Sequence, residues 1–177
     1  MSKLVYDIKN LKGYVLGVGI LKDKILTCLE KNDFVEVNIL TNNNIEIPKK
    51  SKLNNSIDNQ KKGKKIIIKK LKKYFKHHKP DYMICNIDDV LRYLKYFVKD
   101  SLYITNNKIF IYSNDSKLSL EEIAKRYKRY TKNVEICDDY ILIDSSNYTP
   151  SMFKNMYYYI ADTVLSLYNF ISNILTS

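Results

Sequence analysis

Arginine is scarce in this chain, although basic residues are plentiful. Only Arg92, Arg126 and Arg129 are arginines among the 30 lysines and arginines of its 177 residues. Arginine is the usual choice for bidentate contacts to phosphates and base edges, so its scarcity argues against sequence-specific recognition of DNA. The net charge of +11 still favours a polyanionic partner, whether nucleic acid, anionic lipid or an acidic protein. The lysine- and asparagine-rich composition of an A+T-rich genome is the alternative explanation.

Cysteine pairs and common catalytic signatures are also missing. Cys28, Cys85 and Cys137 form no CxxC pair, so we expect three reduced, buried thiols. His77 and His78 are neighbours on a predicted helix, where their side chains point about 100° apart. Neither has a cysteine or carboxylate at ligand spacing, and we therefore predict no metal site. The sequence contains no HExxH signature, Walker loop or Ser–His–Asp order.

Long apolar runs are absent as well. Because no stretch of about 18 uninterrupted apolar residues occurs, we predict no membrane-spanning helix. The N-terminus has no apolar core or small-residue cleavage site of a signal peptide, so we expect a cytoplasmic protein. A hydrophobic content of 45% predicts a packed core, and the length suits one domain.

Strand and helix patterns alternate from residue 14 onwards. They predict an α/β fold with a three-layer, Rossmann-like, mostly parallel sheet and a C-terminal antiparallel strand pair. Ser119 and Glu122 predict a capping box at the start of one helix. The predicted strands cover 14–19, 34–40, 81–86, a buried strand at 108–113 with a short lead-in at 101–105, and the pair 134–137 and 140–144. The predicted helices cover 21–29, 64–79, 88–98 and 119–130.

Two stretches differ from this alternation. Residues 41–63 are rich in Asn, Lys and Ser, and predict a mobile basic loop. A Rossmann-like domain of residues 1–148 is followed by a predicted amphipathic helix at 149–177, whose apolar positions alternate steps of four and three. Three arrangements of this helix stay open: packing on its own domain, a homodimer through residues 150–175, or an in-plane membrane helix.

Three segments carry a resemblance to a known family. They are V-L-G-V-G-I at Val15–Ile20, D-Y-M-I-C-N-I at Asp81–Ile87, and the strand, helix and reversed hairpin of residues 102–144. Together they resemble a shortened class I S-adenosylmethionine-dependent methyltransferase over residues 12–145. In that family the first segment is the glycine-rich motif, and the second is the fourth strand with the polar residue after it.

The resemblance implies a site at the carboxyl edge of the sheet. It implies S-adenosylmethionine as the cofactor, because glycines after the first strand let a nucleotide-like ligand approach the backbone. It assigns Asn86 and Asp88 as catalytic candidates, although a helix cap and a first-turn acid are the structural alternatives. The implied cofactor-binding residues are Gly17, Gly19, Asn42 and Asn86.

The chain departs from the family pattern at several positions. Gly17 stands where the family usually has an acidic residue, and Leu21 and Asp23 stand where it has further glycines. Residues 41–43, Thr-Asn-Asn, replace the carboxylate that usually binds the ribose hydroxyls. We expect the third strand and its preceding helix to be reduced or replaced by the 41–63 loop. Three functions stay open: a small methyltransferase acting on an anionic substrate such as nucleic acid, a non-catalytic binding or scaffold protein that has lost its cofactor, or a peripheral membrane protein that uses the C-terminal helix and the lysines.

Lysines concentrate in one segment of the chain. They predict a phosphate-tracking face for nucleic acid, and a solvated helix face is the alternative. A second basic set lies at 125–129 on the capped helix. The residues of the predicted nucleic-acid face are Lys61, Lys62, Lys65, Lys69, Lys72, Lys73 and Lys76.

Overall fold

A seven-stranded sheet forms the centre of the fold. The computed structural model describes residues 2–33, 35–40, 79–91, 94–114 and 119–149, and the backbone of 53–55. The helices are α1 (Lys3–Lys9), α2 (Asp23–Glu30), α3 (Leu94–Ile104) and α4 (Leu120–Lys128), with a 3-10 turn at Ile87–Asp89. The strands are β1 (Gly13–Val18), β2 (Val35–Leu40), β3 (Leu53–Asn55), β4 (Tyr82–Asn86), β5 (Lys108–Tyr112), β6 (Val134–Ile136) and β7 (Ile141–Asp144).

The strand order is β3-β2-β1-β4-β5-β7-β6. The first five strands in this order are parallel, whereas β7 runs antiparallel to both β5 and β6. The chain therefore moves outwards from β1 to β3 and then crosses back to β4. Parallel sheets of this kind have a topological switch point where the order reverses, here between β1 and β4. The predicted α/β class, the mostly parallel sheet and the antiparallel pair are confirmed.

Both faces of the sheet are covered, which explains the nearly continuous apolar strands. Leu4, Ile8, Ile25 and Leu29 of α1 and α2 pack on one face. On the other face, α3 and α4 supply a second layer that includes Phe97, Val98, Leu102, Ile123 and Tyr127.

The capping box and the terminal hairpin are confirmed. Ser119 Oγ accepts from the Glu122 amide at 3.2 Å, and Glu122 Oε2 accepts from the Ser119 amide at 3.2 Å. The loop between β6 and β7 closes through the Cys137 amide, which donates to the Tyr140 carbonyl at 2.8 Å. These two devices fix the position of α4 and the reversal of β7.

Three expectations from the sequence were wrong or incomplete. The 41–63 segment contains β3, which has three residues and pairs parallel with β2, so the third strand is reduced as one alternative expected, and it is not replaced by a loop. Its Leu-Asn-Asn sequence lacks the apolar alternation that predicts a strand. An edge strand does not need that alternation, because main-chain hydrogen bonds alone can hold it. Residues 101–104 continue α3 rather than lead into a strand, since Leu102 and Ile104 extend its buried stripe. Cys28 is only partly buried, whereas Cys85 and Cys137 are buried.

Helix α1 was not predicted, because seven residues with two buried apolar positions give little periodicity. Ser2 caps it by accepting from the Val5 amide at 3.4 Å. The Tyr140 hydroxyl donates to the Asp7 carboxylate, which ties α1 to the β6–β7 hairpin. Asn32 Nδ2 donates to the Lys9 and Leu11 carbonyls at 3.2 and 2.9 Å, which ties α1 to the end of α2.

Two predicted features lie outside the described residues: the 64–79 helix, except for its last residue, and the C-terminal helix with its proposed dimer seam. Within the described ranges, no helix has the length and apolar character needed to cross a bilayer.

Replacing Asn32 should loosen α1 from the domain. Asn32→Ala removes a buried amide that satisfies two carbonyls, and we expect a loss of about 1–3 kcal/mol in the free energy of unfolding, measured by urea titration. Asn10→Ala is the matched control, because Asn10 is the exposed C-cap of α1 and its side-chain amide donates to the Tyr6 carbonyl of the same helix. Equal losses in the two variants would contradict the role of Asn32 as a tie.

Candidate functional site

The carboxyl edge of the sheet at the switch point carries the candidate site. The loop after β1 begins at Gly19, whose φ is +82°, a conformation that side chains rarely adopt. The Gly19 amide donates to the Leu40 carbonyl at 2.7 Å, so the loop is fastened to the end of β2. Gly19 is therefore required by the backbone before any ligand is considered.

Asp89 occupies the space beside Gly19. The Ile20 amide donates to Asp89 Oδ2 at 2.7 Å. A Cβ added at Gly19 would lie 2.5 Å from that oxygen, so the absence of a side chain lets the loop approach the chain's own carboxylate. The first amide after the glycine, which would face a ligand in a nucleotide-binding loop, is engaged within the protein.

Asn86 has two roles at once. Its Oδ1 accepts from the Asp88 amide at 3.3 Å, which caps the 3-10 turn as the structural alternative predicted. Its Nδ2 donates to the Ile20 carbonyl at 3.0 Å, so it also bridges β4 to the β1 loop. Because Asn86 is only 4% exposed, this bridge is inside the protein rather than on an open surface.

Asp88 is held on the other side of the turn. Ser113 Oγ donates to its Oδ1 at 2.7 Å, and the Asn114 amide donates to its Oδ2 at 2.6 Å. Both carboxylate oxygens thus fasten the turn to the chain after β5. Each carboxylate oxygen can still accept a further hydrogen bond, so these contacts position Asp88, and its role as a general base stays a prediction.

Tyr112 is a site residue that the sequence analysis missed. Its hydroxyl accepts from the Lys22 amide at 3.1 Å and donates to the Ile20 carbonyl at 3.4 Å. Burial raises the pKa of this hydroxyl above its ordinary range, so it stays protonated and can donate. The only sequence signal was its position at the end of a buried strand.

Gly17 and Leu21 form an apolar contact at the same edge. A Cβ added at Gly17 would lie 2.8 Å from Leu21 Cδ1 and 3.3 Å from Ile39 Cγ1. Leu21 is 2% exposed, so its side chain fills the space above Gly17. The methyltransferase family that the sequence resembles usually has an acidic residue where this chain has Gly17. It usually has a glycine where this chain has Leu21.

The structure thus brings Gly17, Gly19, Asn86 and Asp88 to one edge of the sheet. Asn42 and the lysines predicted to bind nucleic acid, residues 61–76, lie outside the described residues. Burial raises the pKa of the neighbouring Cys85 thiol well above its usual value, with Asp89 adding to the shift, so this thiol is no nucleophile. Among the described residues, no three His, Cys, Asp or Glu side chains are grouped to hold a metal ion.

Comparison with known proteins identifies the fold. No protein-family model and no curated protein matches the sequence. The MycE methyltransferase of the mycinamycin biosynthetic pathway, solved with Mg and SAH, superposes with a TM-score of 0.52 at 11% identity. The match covers 82% of this chain and 46% of the MycE chain, so this chain spans about half the length of that enzyme. A release-factor-specific glutamine-N5 methyltransferase from Alicyclobacillus acidocaldarius gives a TM-score of 0.49 at 13% identity, over 80% and 88% of the two chains.

The chain has a class I methyltransferase-like fold. The observed strand order and the MycE superposition agree on this, and the resemblance seen in the sequence is confirmed at the level of the fold. At the switch point, Asn86, Asp89 and Tyr112 each form a hydrogen bond with the main chain of Ile20.

The contact between Gly17 and Leu21 predicts a coupled pair of mutations. Gly17→Ala should overpack the edge and cost about 1–3 kcal/mol of unfolding free energy. In a Leu21→Ala background the added methyl group finds space, so the same change should cost about 1 kcal/mol less. Urea unfolding of the four proteins of this double-mutant cycle measures the coupling. Additive losses would show that Gly17 is required for a reason other than Leu21.

Proposed function

We propose that this chain is a non-catalytic methyltransferase-like protein that binds polyanions such as nucleic acid. The observation that carries the first half is the packing of Leu21 onto Gly17. In the family that the chain resembles, an acidic residue and a glycine stand at these two positions. Here the edge is filled by a buried leucine next to Gly17.

The loop after β1 adds to this closure. A ligand that needs the Ile20 amide must displace Asp89, and a net hydrogen bond contributes about 0.5–1.5 kcal/mol. Moving the Leu21 side chain out of the core costs about 1.5–3 kcal/mol more. Together these costs weaken binding about thirtyfold to a thousandfold or more. Residues 41–43 offer no carboxylate for ribose hydroxyls to offset the loss.

An active S-adenosylmethionine-dependent methyltransferase is the second candidate. The observation in its favour is Asn86, which lies at the carboxyl end of β4 directly beside the loop after β1. Ligands in open α/β sheets bind at this edge, and MycE, which has the same fold, was solved with SAH. For methyl transfer, Asn86 would orient the acceptor once it released the Ile20 carbonyl.

Calorimetry separates the two candidates. We titrate S-adenosylmethionine and S-adenosylhomocysteine into the wild-type protein and expect no binding with a Kd of about 100 μM or tighter. That Kd corresponds to roughly −5.5 kcal/mol of binding free energy. Leu21→Ala, which opens the space above Gly17, is the paired variant, and its thermal melt confirms that it is folded. Wild-type binding tighter than this threshold would overturn the proposal and support methyl transfer.

The distribution of charge supports the second half of the proposal. The described residues carry fifteen basic and fifteen acidic side chains, so they are neutral overall. The whole net charge of +11 therefore belongs to the remaining segments, and twelve of their lysines lie between residues 49 and 76. A general drift towards lysine would have spread the excess over the whole chain.

Charge reversal tests polyanion binding. Lys69, Lys72 and Lys73 changed together to Glu should weaken binding of a single-stranded RNA and lower its salt slope by about 2, at about 0.7 per lost phosphate contact. In the control, three exposed lysines of the α1–α2 side are changed to Glu, which alters the net charge by the same amount. They are Lys9, Lys24 and Lys31. Fluorescence anisotropy over a range of salt measures both. Equal losses of RNA affinity in the two variants would show that only net charge matters. They would contradict a binding role for the 61–76 lysines.

A further inference from the structure

The outward side of α3 consists of tyrosines. Of its eleven residues, all of them described, seven are buried and two are half-buried, and only Tyr96 and Tyr103 are exposed. Their side chains are 50% and 46% exposed. Because they are seven residues apart, they lie on one side of the helix, about 10 Å apart along its axis. A surface helix usually presents charged side chains to solvent, so this α3 stripe is a face that a further element can cover.

The described chain ends on the same side of the sheet. The Ser145 amide donates to the Asn107 carbonyl at 2.7 Å, and Ser145 Oγ donates to the Thr105 carbonyl at 3.0 Å. Thr105 directly follows the last residue of α3. Tyr148 then packs on the core layer of α3 and α4 rather than on that of α1 and α2. The chain therefore leaves the described structure from the carboxyl end of α3.

The segment that follows, residues 150–177, needs a covering partner. Its predicted helix has only two charged side chains, Lys154 and Asp162. Helices in proteins owe most of their stability to packing of an apolar side. The twenty-eight residues would extend about 42 Å as a helix, whereas the eleven residues of α3 extend about 16 Å, so the segment is long enough to reach both tyrosines. The residues of its apolar seam are Phe153, Tyr157, Ile160, Val164, Leu167, Ile171 and Ile174.

The lysine-rich segment before β4 is a weaker candidate for this cover. Lys79, its last residue, does contact the α3 stripe, because its Nζ lies 4.4 Å from the centre of the Tyr103 ring. The predicted 64–79 helix has a single apolar side, however, and it connects the parallel strands β3 and β4. A helix that connects parallel strands needs its apolar side for the sheet. We therefore assign the stripe to residues 150–177.

We propose that residues 150–177 dock on the α3 stripe, with their apolar seam against Tyr96 and Tyr103. Because the chain leaves from the carboxyl end of α3, the docked segment runs antiparallel to that helix. A homodimer through residues 150–175 and an in-plane membrane helix would both need the same seam, so this docking replaces them. The proposal does not depend on the polyanion binding proposed above.

Fluorescence tests the docking directly, because the chain contains no tryptophan. Tyr96→Trp and Tyr103→Trp, made separately in the full chain, each introduce one fluorophore into the α3 stripe. Tyr6→Trp is the matched control, because Tyr6 is 62% exposed on α1, on the other face of the sheet. Acrylamide quenching measures how far solvent reaches each ring. The quenching constants at positions 96 and 103 should be about half that at position 6 or lower, since a packed helix covers the rings.

A charge placed in the seam tests whether residues 150–177 supply the cover. Ile160→Glu, added to each tryptophan variant, should raise quenching at positions 96 and 103 about twofold, because a carboxylate is costly to bury in an apolar contact. Asn155→Glu is the matched control, since it adds the same charge outside the seam and should leave quenching unchanged. Thermal melts establish that all variants are folded. If Ile160→Glu does not fold, the comparison of positions 6, 96 and 103 decides by itself.

Each of the following outcomes would overturn the proposal. Equal quenching at positions 6, 96 and 103 would show that the stripe is uncovered, and protection of position 6 alone would place the segment on α1. Protection of positions 96 and 103 that grows over about a hundredfold rise in protein concentration would assign the cover to a second copy of the chain. Protection that appears only with phosphatidylserine vesicles would assign it to a membrane. Protection that persists in folded Ile160→Glu would assign it to another segment.

Discussion

The main chain of Ile20 connects three parts of the carboxyl edge of the sheet. Its amide donates to Asp89, while its carbonyl accepts from Asn86 and from the Tyr112 hydroxyl. One residue after β1 thus joins the turn after β4 and the end of β5. This geometry requires the positive φ of Gly19, since any side chain there would meet the Asp89 carboxylate. In this fold a glycine after the first strand can serve the protein's own packing as well as a ligand.

The rest of the fold does not depend on this edge being open. Strands β1, β4 and β5 are buried on both faces by helices, and that burial contributes to stability whether or not a ligand is present. A chain with this architecture can therefore replace an acidic residue by Gly17 and a glycine by Leu21 and keep its sheet. At that edge Leu21 is buried next to Gly17 and so adds to the apolar core.

Sequence patterns predicted the elements that have a strong local signal. The capped helix at Ser119, the first βαβ unit and the terminal hairpin all follow from caps, turns and apolar periods. The missed elements lack such signals: β3 is held by main-chain bonds to β2, and α1 is positioned by Asn32 and Tyr140, which are distant in sequence. Residues 101–104 were assigned to the lead-in of a strand because their apolar residues fit either period. Contacts distant in sequence, such as the hydrogen bond between Ser101 Oγ and the Tyr127 hydroxyl, accompany their burial in α3.

The sequence predicted which edge of the sheet carries several of the candidate residues, but not the hydrogen bonds that connect them. The sequence placed Gly19, Asn86 and Asp88 at one edge, because carboxyl ends of parallel strands meet there. It could not show that Asp89 and Tyr112 bond to the loop, because no local pattern encodes a side chain sixty or more residues away.

The charges are divided between the described residues, which are neutral overall, and the remaining segments, which are basic. Salt screens exposed lysines but hardly affects a buried core, so affinity for a polyanion can vary with ionic strength while the fold remains equally stable.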